Sequence, residues 1–171
     1  MKDVFLVYDT SCFYEIVILN YFMKFTDCDV LLCSVDGKPI RAMEGYSVNV
    51  DAAVNDLDID QIRSLIVPGG DIKNVEGEEV KAFLNQVKTQ GSLIAGICAG
   101  VDLLENADVL WNVKSTHSTE LDVVNDNKVI TARANAYVDF AIEVAKELNL
   151  FADEADLQET IAFWKYHKRM E

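Results

Sequence analysis

The sequence predicts an α/β fold in which a mostly parallel sheet carries helices on both faces. Three observations predict it. The runs Val4-Phe5-Leu6-Val7, Val30-Leu31-Leu32-Cys33 and Ser64-Leu65-Ile66-Val67 are apolar or nearly so throughout rather than alternating, as strands buried on both faces are. Segments with apolar residues at helical spacing lie between such runs, which is the pattern of crossover helices covering a parallel sheet. A fourth apolar run, Ser92-Leu93-Ile94, leads straight into Ala95-Gly96-Ile97-Cys98-Ala99-Gly100, where a strand must end and a helix begin almost at once. At 171 residues the chain reads as one domain, 1–171, with no Pro/Gly/Ser-rich linker, repeat or low-complexity tract.

The elements follow in order. Residues 4–7 form the first strand, and Asp9-Thr10-Ser11 is a turn and helix-start cluster. Residues 13–24 read as a helix, with Phe13, Ile16, Val17, Asn20 and Lys24 at helical spacing. The second strand, residues 30–33, ends at the turn signals Asp36-Gly37 and Lys38-Pro39. Residues 40–50 read as an excursion of short edge strands. The third strand, residues 64–67, is stopped by Pro68-Gly69-Gly70, and residues 78–90 form a helix with Val80, Phe83, Leu84 and Val87 on one face. After the fourth strand and its helix, Val129-Ile130-Thr131 is a late strand following the Asp126-Asn127 turn. Residues 136–148 are a helix. Residues 155–168 are a terminal one, with Leu157, Ile161 and Trp164 at i, i+4 and i+7, a face expected to pack on the chain's own sheet.

The Gly96-Ile97-Cys98-Ala99-Gly100 spacing is that of a nucleophile elbow with sulfur in place of the serine oxygen. The turn forces Cys98 outward, and the flanking glycines leave room for tight backbone and for helix–strand packing. Cys98 then sits at a helix N-terminus, whose unpaired N–H groups favour a negative sulfur by about 0.3–1 kcal/mol when exposed and up to about 2 when partly buried. At about 1.4 kcal/mol per pKa unit, that lowers the thiol pKa by about one. The other reading of the motif is a small buried cysteine flanked by helix-packing glycines. Ligands of parallel sheets bind beyond the carboxyl ends of the strands. Residues 9–15, Pro68-Gly69-Gly70 and Cys98 all fall there, and this convergence favours the functional reading.

Composition narrows the alternatives. The net charge of −14 disfavours nucleic acid and anionic membranes as partners. No apolar run approaches the roughly eighteen residues of a transmembrane helix. Met1-Lys2-Asp3 runs into a strand without the apolar region and cleavage site of a signal peptide, so the expected location is cytoplasmic. Four cysteines without a C-x-x-C pair and two histidines predict no metal site.

In this order the motifs resemble the ThiJ/PfpI superfamily, in the DJ-type branch of the class I glutamine amidotransferase-like fold. Residues 4–8 and Glu15 resemble the family's first strand and the acidic residue early in its first helix. Pro68-Gly69-Gly70 matches its Pro-Gly-Gly loop, Ile97-Cys98-Ala99-Gly100 its elbow, and Ser115-Thr116-His117 its Thr-Thr-His segment. Thr131-Ala132-Arg133 and the helix through Val138-Asp139-Phe140-Ala141 resemble its late strand and following helix. The resemblance implies a flavodoxin-like three-layer sandwich, a carboxyl at Glu15 touching the cysteine sulfur, and a homodimer.

Two departures exclude chemistries found in relatives. Ala99 stands where the PfpI-type protease branch has histidine, so that protease triad is absent. The late His167, in Lys165-Tyr166-His167-Lys168, has no His-x-Glu partner of the glutamine amidotransferase kind and reads as a solvated helix end. The segment between His117 and Arg133 is also shorter than is usual in the DJ-type branch.

The candidate catalytic residues are therefore Cys98 as nucleophile, Glu15, and His117. A protonated Glu15 carboxyl would favour the thiolate and an ionised one would oppose it. His117 is the candidate to orient or exchange a proton near the sulfur, or else a hydrogen-bonded histidine at a strand end. Gly69, Gly70 and Ala99 are candidate substrate- or oxyanion-binding positions. Cys12 borders Glu15 in sequence and reads as a buried thiol. No cofactor is expected. Two functions remain open: cysteine-dependent chemistry on a small carbonyl or amide-like substrate, glyoxalase-, deglycase- or amidase-like, and a non-catalytic redox-responsive or chaperone-like stress protein whose cysteine is oxidised.

Overall fold

The computed structural model describes residues 1–169; the last two residues of the expected domain 1–171 lie outside the described residues. In chain order the elements are β1 (Lys2–Leu6), α1 (Val17–Phe25), β2 (Val30–Ser34), β3 (Ile40–Arg41), β4 (Ser47–Val48), β5 (Ala52–Ala53), β6 (Ile62–Val67), α2 (Glu78–Gln90), β7 (Leu93–Ile97), α3 (Ala99–Asn106), β8 (Val123–Asp126), β9 (Val129–Ala132), α4 (Tyr137–Glu147) and α5 (Glu154–Trp164). Seven strands form one sheet in the order β5-β2-β1-β6-β7-β9-β8, and every pair but β8–β9 is parallel.

Strand residues alternate between faces, so one apolar run feeds two cores. Val4, Leu6, Leu65, Val67 and Ile94 meet Phe83, Leu84 and Val87 of α2 and Leu103 and Leu104 of α3. Phe5, Val7, Ile66, Ala95 and Ile130 meet Leu19, Phe22 and Met23 of α1 and Phe140, Ala141 and Val144 of α4. This is the flavodoxin-like three-layer sandwich. No described helix is long and apolar enough to cross a membrane.

The polar Asp3 in β1 is wholly buried. Its carboxylate accepts from both Nε and Nη2 of Arg63 and, at 2.7 Å, from the Ser64 hydroxyl, which satisfies a charge the sheet otherwise could not hold.

Four local expectations are corrected. The first helix does not run from 13 to 24. Residues Phe13–Glu15 form a 3₁₀ turn, Ile16 leaves helical geometry at φ −121° and ψ −11°, and α1 starts only at Val17. Cys12 at the head of that turn supplies no side-chain cap, so nothing in the sequence anchors a regular helical start there. β5 and β8 were not anticipated: β5 has two residues, and β8 is an antiparallel edge strand ending in polar residues. The β8–β9 turn holds Asn127 and Lys128 at φ 50° and 61°, the pattern of a two-residue hairpin loop. The terminal helix stops at Trp164. Its Trp164 ring packs edge-on against Tyr21 and Phe22 of α1, at centroid distances of 5.6 and 5.8 Å, so that member of the face expected on the sheet rests on a helix, and Leu157 and Ile161 pack on the core shared by the sheet, α1 and α4.

The excursion after β2 is the β3–β4 hairpin. It braces the loop following β1: the Thr10 amide donates to the Arg41 carbonyl (2.7 Å), the Arg41 amide to Asp9 Oδ1 (2.7 Å), and the Met43 amide to the Ser11 carbonyl (3.0 Å).

Candidate active site

Because β1, β6 and β7 are parallel and adjacent, the loops at their carboxyl ends meet. Cys98 sits at the junction of β7 and α3 with φ 56° and ψ −131°, a backbone conformation that costs a non-glycine residue about 1–3 kcal/mol. The surroundings hold it there. The Cys98 amide donates to the Ala132 carbonyl at 2.9 Å, and its carbonyl accepts from the Val101 amide at 3.0 Å. Gly100 lies so close to the Val67 carbonyl that any Cβ would collide with it.

Gly69 is the hub of the site. A Cβ built there would lie 2.7 Å from Cys98 Cβ, 2.9 Å from Cys98 Sγ and 2.9 Å from Glu15 Oε2. The nucleophile candidate and the carboxyl thus flank the same bare Cα. The Gly69 amide donates to Glu15 Oε2 at 2.6 Å, so it anchors the acid. Glu15 reaches it because the 3₁₀ turn is tight; on a regular helix starting at residue 13 the side chain would leave at another angle. The carboxyl is 1% exposed, and its Oε1 is buried with no hydrogen-bond partner among the described residues. Gly70, one residue on, packs against the Thr10 carbonyl. Ala99, the first residue of α3, follows Cys98 directly.

Electrostatics reverse one sequence expectation. Burial, then the negative charge of Glu15, push the Cys98 thiol up to about 11, against the smaller pull of the Ala99 amide. The helix N-terminus is present, but the half-buried sulfur beside a carboxylate outweighs it. Burial also raises the Glu15 pKa, despite the Gly69 amide that favours its ionised form. The two groups compete for one charge: while Glu15 is ionised, the thiol keeps its proton.

His117 is placed elsewhere than on the sulfur. Its Nδ1 is 2.8 Å from Glu105 Oε2, and its Nε2 is 3.5 Å from Asp102 Oδ1, both on α3. Among the hydrogen bonds of the described residues none joins it to Cys98. Cys12, expected to be a buried thiol, is only half-buried, and its amide donates to the Gly69 carbonyl at 2.9 Å. Thr10, within the 9–15 segment expected at the site, has φ 75° and a hydroxyl that accepts from the Asp71 amide; two neighbours escaped the sequence reading, Glu44, whose Oε1 accepts from the Tyr14 amide at 2.8 Å, and Asp102, one turn past Cys98. Nothing in the local sequence marks Glu44, because only the hairpin brings it there. Among the described residues no group of three or more His, Cys, Asp or Glu could hold a metal ion.

A parallel sheet with a cysteine on a strained strand–helix elbow and a buried glutamate beside it defines a flavodoxin-like α/β protein of the elbow-cysteine kind. The family model described as DJ-1/PfpI matches residues 1–147, and the chain belongs to that family. It is 32% identical over 101 residues to a protein of Thermococcus kodakarensis named a deglycase, a match covering 57% of this chain and 61% of that protein's length. It is 28% identical over 148 residues to a Bacillus subtilis protein named an uncharacterized protease, covering 73% of this chain and 69% of that one. The solved structure of a DJ-1 superfamily protein from Agrobacterium tumefaciens superposes with a TM-score of 0.87 at 24% identity, covering 98% of this chain and 100% of that one.

Proposed function

We propose that the protein is a cysteine-dependent enzyme acting on a small carbonyl compound, deglycase- or glyoxalase-like, with Cys98 as nucleophile and Glu15 as its proton acceptor and donor. The observation that carries this reading is the pairing of Cys98 and Glu15 around Gly69. A thiol that keeps its proton needs a base within reach at the moment of attack, and a buried carboxyl with a raised pKa is poised to take that proton and return it.

As Cys98 Sγ adds to the aldehyde carbon of a 2-oxoaldehyde, the C–S bond forms and the carbonyl electron pair moves to oxygen. The thiol proton passes to Glu15. The negative oxygen is stabilised by amides at Gly70 and Ala99. Glu15 returns that proton to the oxygen, then, ionised again, takes the hydrogen of the former aldehyde carbon and delivers it to the adjacent carbon, and water hydrolyses the resulting thioester, releasing a 2-hydroxy acid and restoring the thiol. The name of the Thermococcus relative supports this class of substrate. Peptide hydrolysis, which the name of the Bacillus relative would suggest, is disfavoured by Ala99 in place of a histidine. His117 acts at one remove, holding Asp102 as a positioning residue.

The test is methylglyoxal consumption by wild type, Cys98→Ala and His117→Ala. Turnover is abolished in Cys98→Ala. A direct proton-transfer role for His117 would cost about 10²–10⁴-fold, whereas positioning through Asp102 costs much less. Wild-type turnover no greater than that of Cys98→Ala would discard the enzyme reading. A redox-responsive protein is the second reading, favoured by the unpartnered Glu15 Oε1, a polar atom that an oxygen added to the sulfur could satisfy.

A further inference from the structure

We propose that Cys28 is a second reactive thiol, which forms a mixed disulfide with small cationic disulfides that enter the cavity beside it. The inference does not rest on the chemistry proposed for Cys98: that residue follows β7 at the carboxyl end of the sheet, whereas Cys28 precedes β2 at the opposite end. Its basis is a cysteine, a guanidinium and a cavity brought together by two local features of the backbone. Asp27 is left-handed at φ 54°, and the Cys28 amide donates to the Met23 carbonyl at 3.0 Å, the six-to-one bond of a Schellman turn closing α1. Across from it, the register between β1 and β6 shifts between Lys2, opposite Ile62, and Asp3, opposite Ser64. Arg63 is the extra residue of that irregularity, and a bulge of this kind re-aims a side chain.

Arg63 is clamped between two partners. Its Nε and Nη2 donate to the wholly buried Asp3 carboxylate, and Nη2 also reaches Cys28 Sγ at 3.0 Å. The Thr26 hydroxyl lies 3.4 Å from the same sulfur. Asp3 holds the planar guanidinium in one orientation. The donor on sulfur is thus in place before any reaction, and it stabilises the negative charge the sulfur carries as it attacks. Among the described residues no other cysteine has a cationic hydrogen-bond partner. Burial pushes the Cys33 thiol up to about 12, and burial followed by the charge of Glu15 pushes Cys12 and Cys98 up to about 11. Cys28 is half-buried, and with Arg63 it lines a cavity of about 680 Å³, room for a small ligand.

The wall of the cavity sets the charge of the ligand. Asp27, Asp29 and Asp156 all line it. Asp29 is answered by Lys2 at 2.8 Å and by the N-terminal ammonium, and the Arg63 charge is answered by Asp3. Asp27 and Asp156 have no ion-pair partner among the described residues. A disulfide carrying ammonium groups is therefore attracted and one carrying carboxylates repelled. The exchange balances without a further oxidant. Cys28 Sγ attacks one sulfur of the disulfide, the new S–S bond forms as the old one breaks, and the departing half leaves as a thiol with the Cys28 proton. Cys28 is oxidised to the mixed disulfide, and the departing half is reduced.

The test incubates wild type, Cys28→Ser, Arg63→Lys and the double variant Asp27→Asn/Asp156→Asn at neutral pH with cystamine, hydroxyethyl disulfide or dithiodipropionate, three small disulfides of opposite or no charge. Each cysteine is followed by mass spectrometry after acid quenching. In wild type Cys28 should be modified first, about tenfold or more ahead of Cys12, Cys33 and Cys98, fastest with cystamine and slowest with dithiodipropionate, and dithiothreitol should reverse it. Cys28→Ser should stay unmodified over the same interval. Arg63→Lys keeps a cation for Asp3 but loses the forked donor, and should slow Cys28 about tenfold. The double variant keeps the backbone, since asparagine accepts the left-handed conformation at 27 and its carbonyl replaces the Asp156 oxygen that accepts from the Ala152 amide. It should lose most of the preference for cystamine. Cys12 or Cys98 modified as fast as Cys28, or a Cys28 rate unchanged in Arg63→Lys at wild-type Tm, overturns the inference. So does a cystamine preference undiminished in the double variant, which would reflect the net charge of −14 and not the cavity.

Discussion

Substituting Gly69 by alanine tests the geometry of the site most directly. The new Cβ would sit 2.7 Å from Cys98 Cβ, 2.9 Å from Cys98 Sγ and 2.9 Å from Glu15 Oε2, all inside ordinary contact distance. None of the three can yield cheaply. Cys98 is fixed by the hydrogen bond its amide donates to the Ala132 carbonyl and by the packing of Gly100 on β6, and Glu15 is fixed by the Gly69 amide itself. Overpacking of this kind costs about 1–3 kcal/mol, and in a domain of this size each kcal/mol lowers Tm by about 2–4 °C. The catalytic effect should be larger in proportion, because a displacement of about 1 Å between reacting groups can cost about 10²-fold in rate. Gly77→Ala is the control, since a Cβ there meets nothing within 4 Å. The assay pairs thermal unfolding with methylglyoxal turnover and the iodoacetamide rate of Cys98. A Gly69→Ala protein with wild-type Tm and wild-type turnover would refute the claim that Cys98 and Glu15 are held against that glycine.

Two other perturbations follow from the charges and their partners. Burial raises the Glu15 pKa above its ordinary 4.5, so the folded state binds that proton more tightly, and the contribution of Glu15 to stability is fully present below that value and is lost as pH rises through the folded one. Glu15→Gln, which buries no charge, should therefore be the more stable protein near neutrality, and the two urea midpoints should converge in acid; midpoints that differ equally at both pH values would contradict this. The same variant removes the neighbouring charge, so the alkylation profile of Cys98 should shift to lower pH while turnover falls by about 10²–10⁴-fold for want of a base. Asp3→Ala strands the Arg63 guanidinium and should cost about 3 kcal/mol, the lower end for a broken buried pair because Arg63 is partly exposed, as read from urea unfolding. Light scattering at micromolar concentration should show the homodimer that the family resemblance implies, and a monomer mass would dismiss it.

Much of the fold was legible because its signals are local. Strands buried on both faces carry unbroken apolar runs, and residues 4–7, 30–33, 65–67 and 93–97 are such runs, the polar Asp3, Arg63 and Ser64 beside them being bonded to one another. The elbow was legible because only a sharp strand-to-helix turn needs glycines on both sides of a cysteine, and Gly100 does press on the Val67 carbonyl. What stayed hidden depends on contacts between distant residues. The register between β1 and β6 brings Glu15 to the amide of Gly69, and no local pattern announces a 3₁₀ turn at residues 13–15. The thiol shift was read with the wrong sign because the helix N-terminus is visible in sequence, whereas the burial of the sulfur and the charge beside it are not. His117 could be found as a histidine, but its partners Glu105 and Asp102 are set by where the 107–116 segment returns to α3.

The charges around the sulfur constrain how this site can work. The groups that act on Cys98, Glu15 and Cys12 include Glu44 and Asp102 along with Glu15 and the two thiols, and none of them is a cation. A standing thiolate is ordinarily held by a nearby positive group. Here it would face a carboxylate in a half-buried pocket of an already acidic chain, and the thiol form is favoured instead. Under the proposed function the nucleophile is made at the moment of use, by passing its proton to Glu15 as the new bond to carbon takes over the sulfur's charge. That transfer moves a single negative charge from the carboxylate through sulfur to the substrate oxygen and never places two charges in the pocket together. The proposed mechanism also predicts the substrate's sign: a neutral carbonyl compound is expected to react faster than one carrying its own carboxylate, because no cation is among the charges acting on Cys98 and Glu15 in the described residues.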